Sequence, residues 1–549
     1  MSEFKLMEKT LGQILDETVS LYPQNTAFIY TESGLRLTWK EFQEEVDTIA
    51  KGLMALGIQR GEKLAIWSPN VPHWISFMFA IAKVGAILIT VNTNFRSNEL
   101  CYQLQQSECE NLCLVKSYRE HNFLNTLNSF APEVFTGNRE NLHCEKLPHL
   151  KRVIYFGDDE QKNLFSVEEI KKLAAAISDE EFQRRQDSVS PYDTVNMQYT
   201  SGTTGFPKGV MLSHVNIGNN GFWIGENQKL TSTDTACLPA PFFHCLGCVL
   251  GLLADITHGT CSVVMENFNP VQVMTAIEAH KCTSVIGVPS MYLSIVEHKL
   301  FKKFDYSTLR TGIMSGAICP IPLMQRVVDE MNMKEITIPY GLTENSPVMT
   351  MSTTNETIED RCATVGKAMP GIEVEIHDPV TNEKLPVNTQ GEICSRGYCV
   401  MQGYYKNQEA TDSVIDKDGW LHSGDLGVLD ERGYLKITGR IKDMIVRGGE
   451  NIYPRELEEF LIHMPDVLDV QVVGFPSRKY GEDIAAFFLT RNNKTIKAED
   501  VRDFCRGRIA WHKIPRQVKT VEEYPHTANG KIQKYKLREL AKELFAQEK

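Results

Sequence analysis

The sequence has no apolar run long enough to cross a membrane as a helix. Its most apolar stretch, residues 75–91, is interrupted by Lys83 and Gly85, and a spanning helix needs about 20 apolar residues. We expect this stretch to form a buried helix followed by a buried strand. The chain also lacks internal repeats and low-complexity segments, which excludes repeat scaffolds and collagen-like proteins.

The sequence has fewer basic than acidic residues. The chain has 58 Lys and Arg against 70 Asp and Glu, a net charge of −12 at pH 7. Because nucleic-acid binding needs a basic face, we expect no nucleic-acid partner. The first 13 residues have neither the apolar core of an export signal nor the composition of a transit peptide, and the last four match no peroxisomal or retention tail. We expect a cytoplasmic protein, with the mitochondrial matrix after processing as the alternative.

The 14 cysteines lack regular spacing, and a chain of this length needs no covalent staples, so we expect reduced thiols. Cys245 and Cys248 lie beside His244 in the arrangement most similar to a metal motif. A structural zinc site needs four ligands, and no second cysteine pair is nearby in sequence. We therefore predict no metal there, nor at Cys109 and Cys113.

A length of 549 residues predicts two or more domains, because one hydrophobic core rarely serves more than about 250–300 residues. Strands and helices alternate along most of the chain, which indicates α/β layers. From about Gly366, short strands and turns indicate a β-rich subdomain. We expect a multi-domain α/β fold: a large N-terminal domain (residues 1–440) that includes this subdomain, a hinge (441–443) and a small mobile C-terminal α+β domain (444–549).

Local patterns support this organisation. Thr38 and Glu41 have the spacing of a capping box, and apolar residues then recur at helical spacing up to Gly57. Short apolar runs predict strands over residues 63–67, 86–91, 152–156, 194–199, 261–265, 283–288, 312–315 and 335–339.

Residues 199–209 read Tyr-Thr-Ser-Gly-Thr-Thr-Gly-Phe-Pro-Lys-Gly and directly follow a predicted strand. The glycines let the backbone curl, while hydroxyls, amide N–H groups and Lys208 can all face anionic oxygens. The segment therefore predicts a polyphosphate-binding loop. It is not a Walker loop, because Phe206 and Pro207 separate Gly205 from Lys208.

This loop resembles the signature of the adenylate-forming superfamily, which includes acyl-CoA synthetases, peptide-synthetase adenylation domains and luciferases. Further motifs follow in that family's order at residues 340–344, 423–425, 439–443, 448–454 and 529–531. The longer stretches 340–348, 396–404 and 442–454 most closely resemble the medium-chain fatty-acid group typified by acyl-CoA synthetase family member 2.

The resemblance implies ATP, Mg²⁺ and coenzyme A as ligands. It assigns Mg²⁺ to Thr200 and Glu344, with Thr343 beside them, and the ribose and phosphate contacts to Asp425 and Arg440. The full ATP-binding set that it implies is Thr200, Ser201, Gly202, Thr203, Thr204, Gly205, Phe206, Pro207, Lys208, Gly316, Ala317, Tyr340, Gly341, Asp425, Arg440 and Lys531.

By the same resemblance, the catalytic residues are Lys531, Glu344, Thr343 and His244. Lys531 is the lysine that contacts the substrate carboxylate and the α-phosphate. The small domain then rotates about Lys442, and a face with Gly448, Gly449 and Glu450 replaces Lys531 for the thioester step. A hinge of this kind consists of a few joint residues that absorb a dihedral change.

The acyl and coenzyme A contacts are also implied by resemblance. His244 is placed at the carboxylate end of the acyl pocket and Arg516 on the coenzyme A nucleotide. The implied pocket walls are Trp223, Phe242, Phe243 and Leu246. Where relatives carry an Arg before Gly-Glu, this chain has Tyr480, so that contact is lost or taken over by Arg478 or Lys479.

These features predict an AMP-forming acid–thiol ligase that joins a fatty acid, preferably of medium chain length, to coenzyme A. One alternative loads the acyl group onto a carrier protein acting in trans. Amino-acid adenylation is disfavoured, because residues 450–454 resemble the fatty-acyl form of the motif, and nothing favours a luciferase. An alternative of another class is an inactive acyl- or nucleotide-binding regulator. The sequence leaves a homodimer open.

Overall fold

Layers of parallel strands and helices make up most of the chain. The computed structural model describes residues 4–200, 207–317, 319–448, 450–491, 494–526 and 532–545. The chain divides into two units, one comprising Met1–Glu373 with Arg396–Leu421 and the other Val374–Ser395 with His422–Lys549. The second unit thus contains most of the predicted β-rich subdomain. The boundary at residue 440 and the hinge at 441–443 stay predictions.

The strands follow one another along the chain as β1 (Thr26–Tyr30), β2 (Arg36–Thr38), β3 (Lys63–Trp67), β4 (Ile87–Thr90), β5 (Asn111–Leu114), β6 (Ser117–Tyr118), β7 (His121–Asn122), β8 (Arg152–Tyr155), β9 (Phe165–Ser166), β10 (Thr194–Thr200), β11 (Lys208–Ser213), β12 (Thr235–Leu238), β13 (Cys261–Val264), β14 (Ser284–Gly287), β15 (Thr311–Met314), β16 (Glu335–Thr337), β17 (Pro339–Tyr340), β18 (Thr350–Met351), β19 (Lys367–Ala368), β20 (Ile372–His377), β21 (Gly391–Gly397), β22 (Gly403–Tyr404), β23 (Leu421–Leu429), β24 (Leu435–Arg440), β25 (Ile445–Arg447), β26 (Glu450–Ile452), β27 (Val467–Ser477), β28 (Gly481–Thr490) and β29 (Gln517–Thr520).

The α-helices are α1 (Leu11–Leu21), α2 (Trp39–Ala55), α3 (Pro72–Lys83), α4 (Ser97–Gln106), α5 (Phe123–Asn128), α6 (Glu133–Thr136), α7 (Val167–Leu173), α8 (Asp179–Asp187), α9 (His214–Gln228), α10 (Ala254–His258), α11 (Pro270–His280), α12 (Pro289–Val296), α13 (Ile321–Glu330), α14 (Ile358–Ala363), α15 (Gln408–Asp412), α16 (Pro454–Leu461), α17 (Ala498–Cys505) and α18 (Lys534–Phe545). A π-helical segment, Leu246–Leu253, precedes α10.

Two large sheets organise the first unit. Over the described residues, one has the order β16-β15-β14-β12-β13-β1-β2 and the other the order β22-β11-β10-β4-β3-β5-β8-β9. Strands β3, β4, β5 and β8 pair in parallel. The predicted α/β layers are therefore confirmed. The second sheet ends in antiparallel strands, since β11 pairs with β10 and with β22.

Helix α2 begins where its sequence predicts. The hydroxyl of Thr38 accepts a hydrogen bond from the amide of Glu41, whose side chain in turn accepts from the Thr38 amide. This capping box satisfies donors that a helix start otherwise leaves unpaired. Gly57, two residues beyond the end of α2, has a φ of +87°, a backbone conformation that favours glycine.

The apolar stretch at residues 75–91 forms α3 and β4, as predicted, and lies in the core. Trp74, Phe77 and Phe79 are fully buried. Lys83 is buried too, with 1% of its side chain exposed, and its ammonium donates to Asp16 and Asp47 at 2.6 Å each. Burial raises the pKa of the Asp47 carboxyl, and the charge of Lys83 opposes that rise.

Replacing Lys83 with Ala is expected to destabilise the first unit by about 1–3 kcal/mol, because two partly buried carboxylates lose their shared donor. Urea unfolding followed by circular dichroism measures this. Lys9→Ala is the matched control: Lys9 and its partner Glu17 are 40% and 52% exposed, and such surface pairs contribute about 0–1 kcal/mol. Equal effects of the two variants would contradict a stabilising role for the buried ion pair.

One predicted strand proved to be two. Residues 335–339 were expected as a single strand, but β16 ends at Thr337 and Pro339 begins β17, which pairs antiparallel with β18 in another sheet. Pro339 has no N–H to continue the first ladder, and the amide of Ile338 donates to the hydroxyl of Ser352 at 2.7 Å. The chain therefore changes sheets immediately before Tyr340.

The second unit combines two sheets in its described part. One has the order β20-β21-β23-β24, and the other the order β26-β25-β28-β27, with β29 paired to β28. Helix α16 packs on β27 through a cluster of buried apolar residues that includes Leu457, Leu461 and Val472. A second cluster of buried apolar residues, which includes Phe487 and Leu537, packs α18 against β27 and β28.

Within the described ranges, no helix combines the length and the apolar character that crossing a bilayer requires.

Candidate functional site

The two ends of the predicted phosphate loop are held together by a β-ladder. Thr200, the last residue of β10, lies opposite Lys208, the first residue of β11. The hydroxyl of Tyr102 donates to the carbonyl of Pro207 at 3.1 Å, which fixes the loop's outgoing end. Ser201, Gly202, Thr203, Thr204, Gly205 and Phe206 lie outside the described residues.

Tyr404 connects the loop lysine to the predicted magnesium carboxylate. Strand β22 pairs with β11, with Tyr404 opposite Val210. The ammonium of Lys208 lies 4.8 Å from the centre of the Tyr404 ring, within range of a cation–π interaction. The hydroxyl of Tyr404 donates to Glu344 Oε1 at 2.7 Å. Sequence reasoning gave this tyrosine no role, because nothing local in the sequence reveals its neighbours.

Glu344 is fixed at both its backbone and its side chain. It lies with Thr343 in the short 3₁₀ helix Thr343–Asn345, and its carbonyl accepts from the amide of Met401 at 2.9 Å. Burial and the neighbouring Glu344 charge raise the pKa of the Tyr404 hydroxyl, so that it stays a donor. The Glu344 carboxylate and the Thr200 hydroxyl are oxygen donors of the kind that Mg²⁺ prefers.

Three residues of the predicted ATP-binding set lie at or just after the ends of β15 and β17: Gly316, Ala317 and Tyr340. The resemblance places them around adenine. The hydroxyl of Ser315 donates to the carbonyl of Pro339 at 3.1 Å and joins these two segments. Gly316 has a φ of +87°, and Ala317 beside it is exposed. A side chain at Gly341 would place its Cβ 1.9 Å from the carbonyl oxygen of Pro347. That position, next to Tyr340, therefore requires glycine.

Asp425 and Arg440 lie opposite each other on β23 and β24 of the second unit. Arg440 Nε and Asp425 Oδ1 are 2.8 Å apart. Asp425 is almost fully buried, whereas about half of the Arg440 side chain is exposed. The pair thus presents an exposed guanidinium anchored by a buried carboxylate.

The predicted hinge residue Lys442 lies in a short 3₁₀ helix directly after β24. Partial burial, followed by the positive charge of Arg440, lowers its pKa. The next residue, Asp443, forms an ion pair with Arg538 of α18. Lys531 lies outside the described residues.

Arg516, a predicted coenzyme A contact, lies beside Tyr480 together with Lys479, a predicted substitute for the lost arginine, and Arg447, which had no predicted role. Arg516 Nη1 donates to the Tyr480 hydroxyl at 3.3 Å, and the side chains of Arg447, Lys479 and Arg516 lie 4.8, 5.1 and 5.3 Å from the centre of the ring. Lys479, with Arg516 second, lowers the pKa of the Tyr480 hydroxyl. We call Arg447, Lys479, Tyr480 and Arg516 the Tyr480 cluster.

Two further predicted residues adjoin this cluster. The amide of Gly448 donates to the carbonyl of Tyr480 at 2.8 Å. Glu450 lies opposite Arg447 in the register of the antiparallel strands β25 and β26. Gly449 between them lies outside the described residues. Lys479 and Arg516 are exposed, whereas Arg447 is buried and ion-paired with Asp483 at 2.8 Å. The departure at Tyr480 therefore leaves two exposed cations beside the ring, a grouping that the sequence alone did not reveal.

The predicted acyl-pocket residues lie on α9 and on the segment after β12. Phe242 is fully buried against Trp74, with ring centres 5.3 Å apart, while Phe243 and His244 are half-buried. His244 Nδ1 accepts from the amide of Leu246, which begins the π-helical segment. Trp223, on α9, lies with its ring centre 6.0 Å from that of Phe4.

Cys245 and Cys248 are bridged by an amide side chain. The Cys245 thiol donates to Gln198 Oε1 at 2.8 Å, and Gln198 Nε2 donates to Cys248 Sγ at 3.1 Å. Burial raises the pKa of Cys248 to about 12. Both thiols are thus hydrogen-bonded to Gln198, which lies two residues before Thr200 in β10.

Comparison with known proteins gives two family matches. The AMP-binding enzyme model matches residues 15–405, and the AMP-binding enzyme C-terminal domain model matches residues 456–531. The chain is 46% identical over 541 residues to the YngI protein of Bacillus subtilis, covering 98% of each chain. It is 38% identical over 539 residues to the mitochondrial medium-chain acyl-CoA ligase ACSF2 of Rattus norvegicus, covering 97% of this chain and 88% of that protein.

A solved structure has the same fold. ATP-bound MatB from Rhodopseudomonas palustris superposes with a TM-score of 0.82 at 23% identity, covering 98% of this chain and all of that one.

Proposed function

Because the chain belongs to the AMP-binding enzyme family, we propose that it is an AMP-forming acid–coenzyme A ligase whose substrate is a medium-chain fatty acid. In the first half-reaction, a carboxylate oxygen attacks the α-phosphorus of ATP, which gives an acyl-adenylate and pyrophosphate. In the second, the thiol of coenzyme A attacks the acyl carbon, and AMP leaves as the thioester forms.

The observation that carries the proposal is the contact of Tyr404 with both Lys208 and Glu344. Departure of pyrophosphate concentrates negative charge, and fixed cations and donors aimed at such charge lower the barrier. Lys208, at the outgoing end of the loop, supplies a cation for the β and γ phosphates. Glu344, on the other side of the same tyrosine ring, supplies an anion that suits a divalent cation.

Mg²⁺ fits this donor set. Glu344 and Thr200 would hold the ion, which when bound would neutralise part of the phosphate charge. The protein's own contribution is positional: Met401 and Tyr404 hold Glu344 from two directions. Asp425 and Arg440 are proposed to contact the ribose, with the exposed guanidinium available to the phosphate.

The Tyr480 cluster is the proposed site for the phosphates of coenzyme A. Its two exposed cations, Lys479 and Arg516, lie beside one ring, and the planar guanidinium of Arg516 suits phosphate oxygens. Gly448 and Glu450, on the adjoining hairpin, are proposed to line the path of the thiol.

Arg516→Ala is expected to raise the KM for coenzyme A about tenfold or more, because charge-assisted hydrogen bonds contribute about 1.5–3 kcal/mol. Steady-state thioester formation measures this, with ATP–pyrophosphate exchange in the absence of coenzyme A as the reference reaction. Arg506→Ala is the control, since Arg506 is an exposed cation whose ion-pair partner is Asp503. An unchanged KM in Arg516→Ala would place the coenzyme A nucleotide elsewhere.

Substrate class is tested with a panel of straight-chain, branched, aromatic and amino acids. Carboxylate-dependent pyrophosphate release, with and without coenzyme A, should peak at medium chain lengths and turn over continuously with coenzyme A. Neighbouring chain lengths should differ only about fourfold, because one methylene contributes about 0.8 kcal/mol of burial.

Two alternatives give different results in that assay. A carrier-protein ligase would stall at one adenylate per enzyme even with coenzyme A present. A nucleotide-binding regulator would release no pyrophosphate on any acid.

We propose the cytoplasm as the working compartment, with the mitochondrial matrix as the alternative. All 14 cysteines are free thiols, which suits a reducing environment.

A further inference from the structure

We propose that His377, Cys394 and His422 form a binding site for a zinc-class divalent cation. One ligand atom from each residue lies within 4.8 Å of the other two, and among the described His, Cys, Asp and Glu side chains this is the one group of three or more that does so. The site belongs to the second unit and includes no residue of the ATP-binding set.

The three residues come from neighbouring strands of one sheet. His377 ends β20, Cys394 lies in β21 and His422 in β23, and these strands are adjacent in the order β20-β21-β23. Strand pairing therefore holds the three candidate ligands close together without a metal ion. His377 and Cys394 are buried, and a fifth of the His422 side chain is exposed, so solvent reaches the group at His422.

The separation between two of the candidate ligand atoms matches that of a tetrahedral zinc centre. Cys394 Sγ lies 3.5 Å from His422 Nδ1. A Zn–S bond of about 2.3 Å and a Zn–N bond of about 2.0 Å, at the tetrahedral angle, put sulfur and nitrogen about 3.5 Å apart. Two imidazoles and a thiolate select zinc and similar metals over Mg²⁺. On binding, the thiol proton of Cys394 passes to solvent, and metal–sulfur and metal–nitrogen bonds form.

The surrounding oxygens complete the arrangement. His377 has Asn382 Oδ1 at 3.0 Å from Nδ1 and Glu375 Oε2 at 3.2 Å from Nε2. When one ring nitrogen turns to the metal, the other keeps an oxygen partner that fixes the ring, as is usual for metal-bound histidine. Glu392 Oε2 lies 2.9 Å from His422 Nδ1, so this carboxylate or a water can fill the fourth position.

The site also adjoins a segment with a proposed catalytic role. The other oxygen of Glu392 accepts from the amide of Gly424 at 2.9 Å. Gly424, with a φ of +70°, immediately precedes Asp425. A metal ion bound at His422 would therefore lie beside Glu392, the carboxylate that also holds the turn before Asp425, the proposed ribose contact.

The test uses the full-length protein, stripped of metal and titrated with Zn²⁺ and with Co²⁺ as a spectroscopic probe. We expect one equivalent of tight Zn²⁺ binding and, with Co²⁺, the thiolate charge-transfer band of a sulfur-ligated tetrahedral ion. An oxygen-lined magnesium site cannot produce that band. Loading should also raise the Tm, because a ligand that binds only the folded state stabilises it.

Three variants make the result specific. Cys394→Ser should lose the charge-transfer band and the one-equivalent binding, and His377→Gln should lose the binding, while Glu392→Gln should weaken it about 10- to 100-fold. Cys101→Ser, which removes a half-buried thiol of α4, is the matched control and should bind as the wild type does. Circular dichroism checks folding, and His377→Gln carries the test if Cys394→Ser does not fold. Absence of stoichiometric binding in the wild type, or full binding in both ligand variants, would overturn the proposal.

Discussion

Lys531→Ala should lower the rate of carboxylate-dependent pyrophosphate release by about 10²- to 10³-fold, the range found when one donor to a developing oxyanion is removed. The proposal rests on the match of residues 529–531 to the family's catalytic-lysine motif. His526 and Ile532, on either side of that segment, form an antiparallel bridge. Pre-steady-state pyrophosphate release measures the effect.

The control for this substitution is Lys536→Ala, because Lys536 is an exposed lysine five positions further along the chain. It should leave the rate unchanged. The second half-reaction supplies a sharper comparison: thioester formation from added acyl-adenylate and coenzyme A should survive in Lys531→Ala. If both half-reactions fell together, a defect in the small domain as a whole would explain the loss better than a missing charge.

Glu344→Gln should reduce kcat/KM for ATP by about 10²- to 10³-fold, because the amide keeps the size of the side chain but removes the charge proposed to hold Mg²⁺. The Mg²⁺ concentration needed for half-maximal rate should rise as well. Both are measured by ATP–pyrophosphate exchange over a range of Mg²⁺ concentrations.

Tyr404→Phe separates charge from positioning at this site. It removes only the hydroxyl that donates to Glu344, and a hydrogen bond to a charged group contributes about 1.5–3 kcal/mol, or about a 12- to 160-fold change in rate. Glu344→Gln, which removes the charge itself, should therefore lower kcat/KM more than Tyr404→Phe does. An unaltered Mg²⁺ dependence in Glu344→Gln would remove Glu344 from the metal site.

Local sequence patterns predicted much of the fold. The capping box at Thr38, the helix and strand within residues 75–91 and the parallel core strands are all present, because each depends on neighbours within one turn or one strand. The predicted strand at residues 335–339 was wrong in extent. Whether the chain crosses to another sheet at Pro339 depends on Ser352, which no local pattern identifies.

The motifs of the site could also be predicted from the sequence, because each is local. The loop at residues 199–209 and the segments at 340–344, 423–425 and 439–443 each carry their chemistry in a few consecutive residues. Tyr404 was not readable, because its role depends on the pairing of β22 with β11 across nearly two hundred residues. The cationic surroundings of Tyr480 likewise depend on β28 and on the segment before β29 lying side by side.

The sequence by itself determined the family, the order of its motifs and the residue types that can neutralise phosphate, since those depend on composition within short segments. Only the tertiary structure decided which side chains share a site: Lys208 and Glu344 through Tyr404, Gln198 between two cysteines, and His377, Cys394 and His422 across three strands. The physical reason is that strand pairing and burial bring together residues whose separation along the chain carries no information about their distance in space.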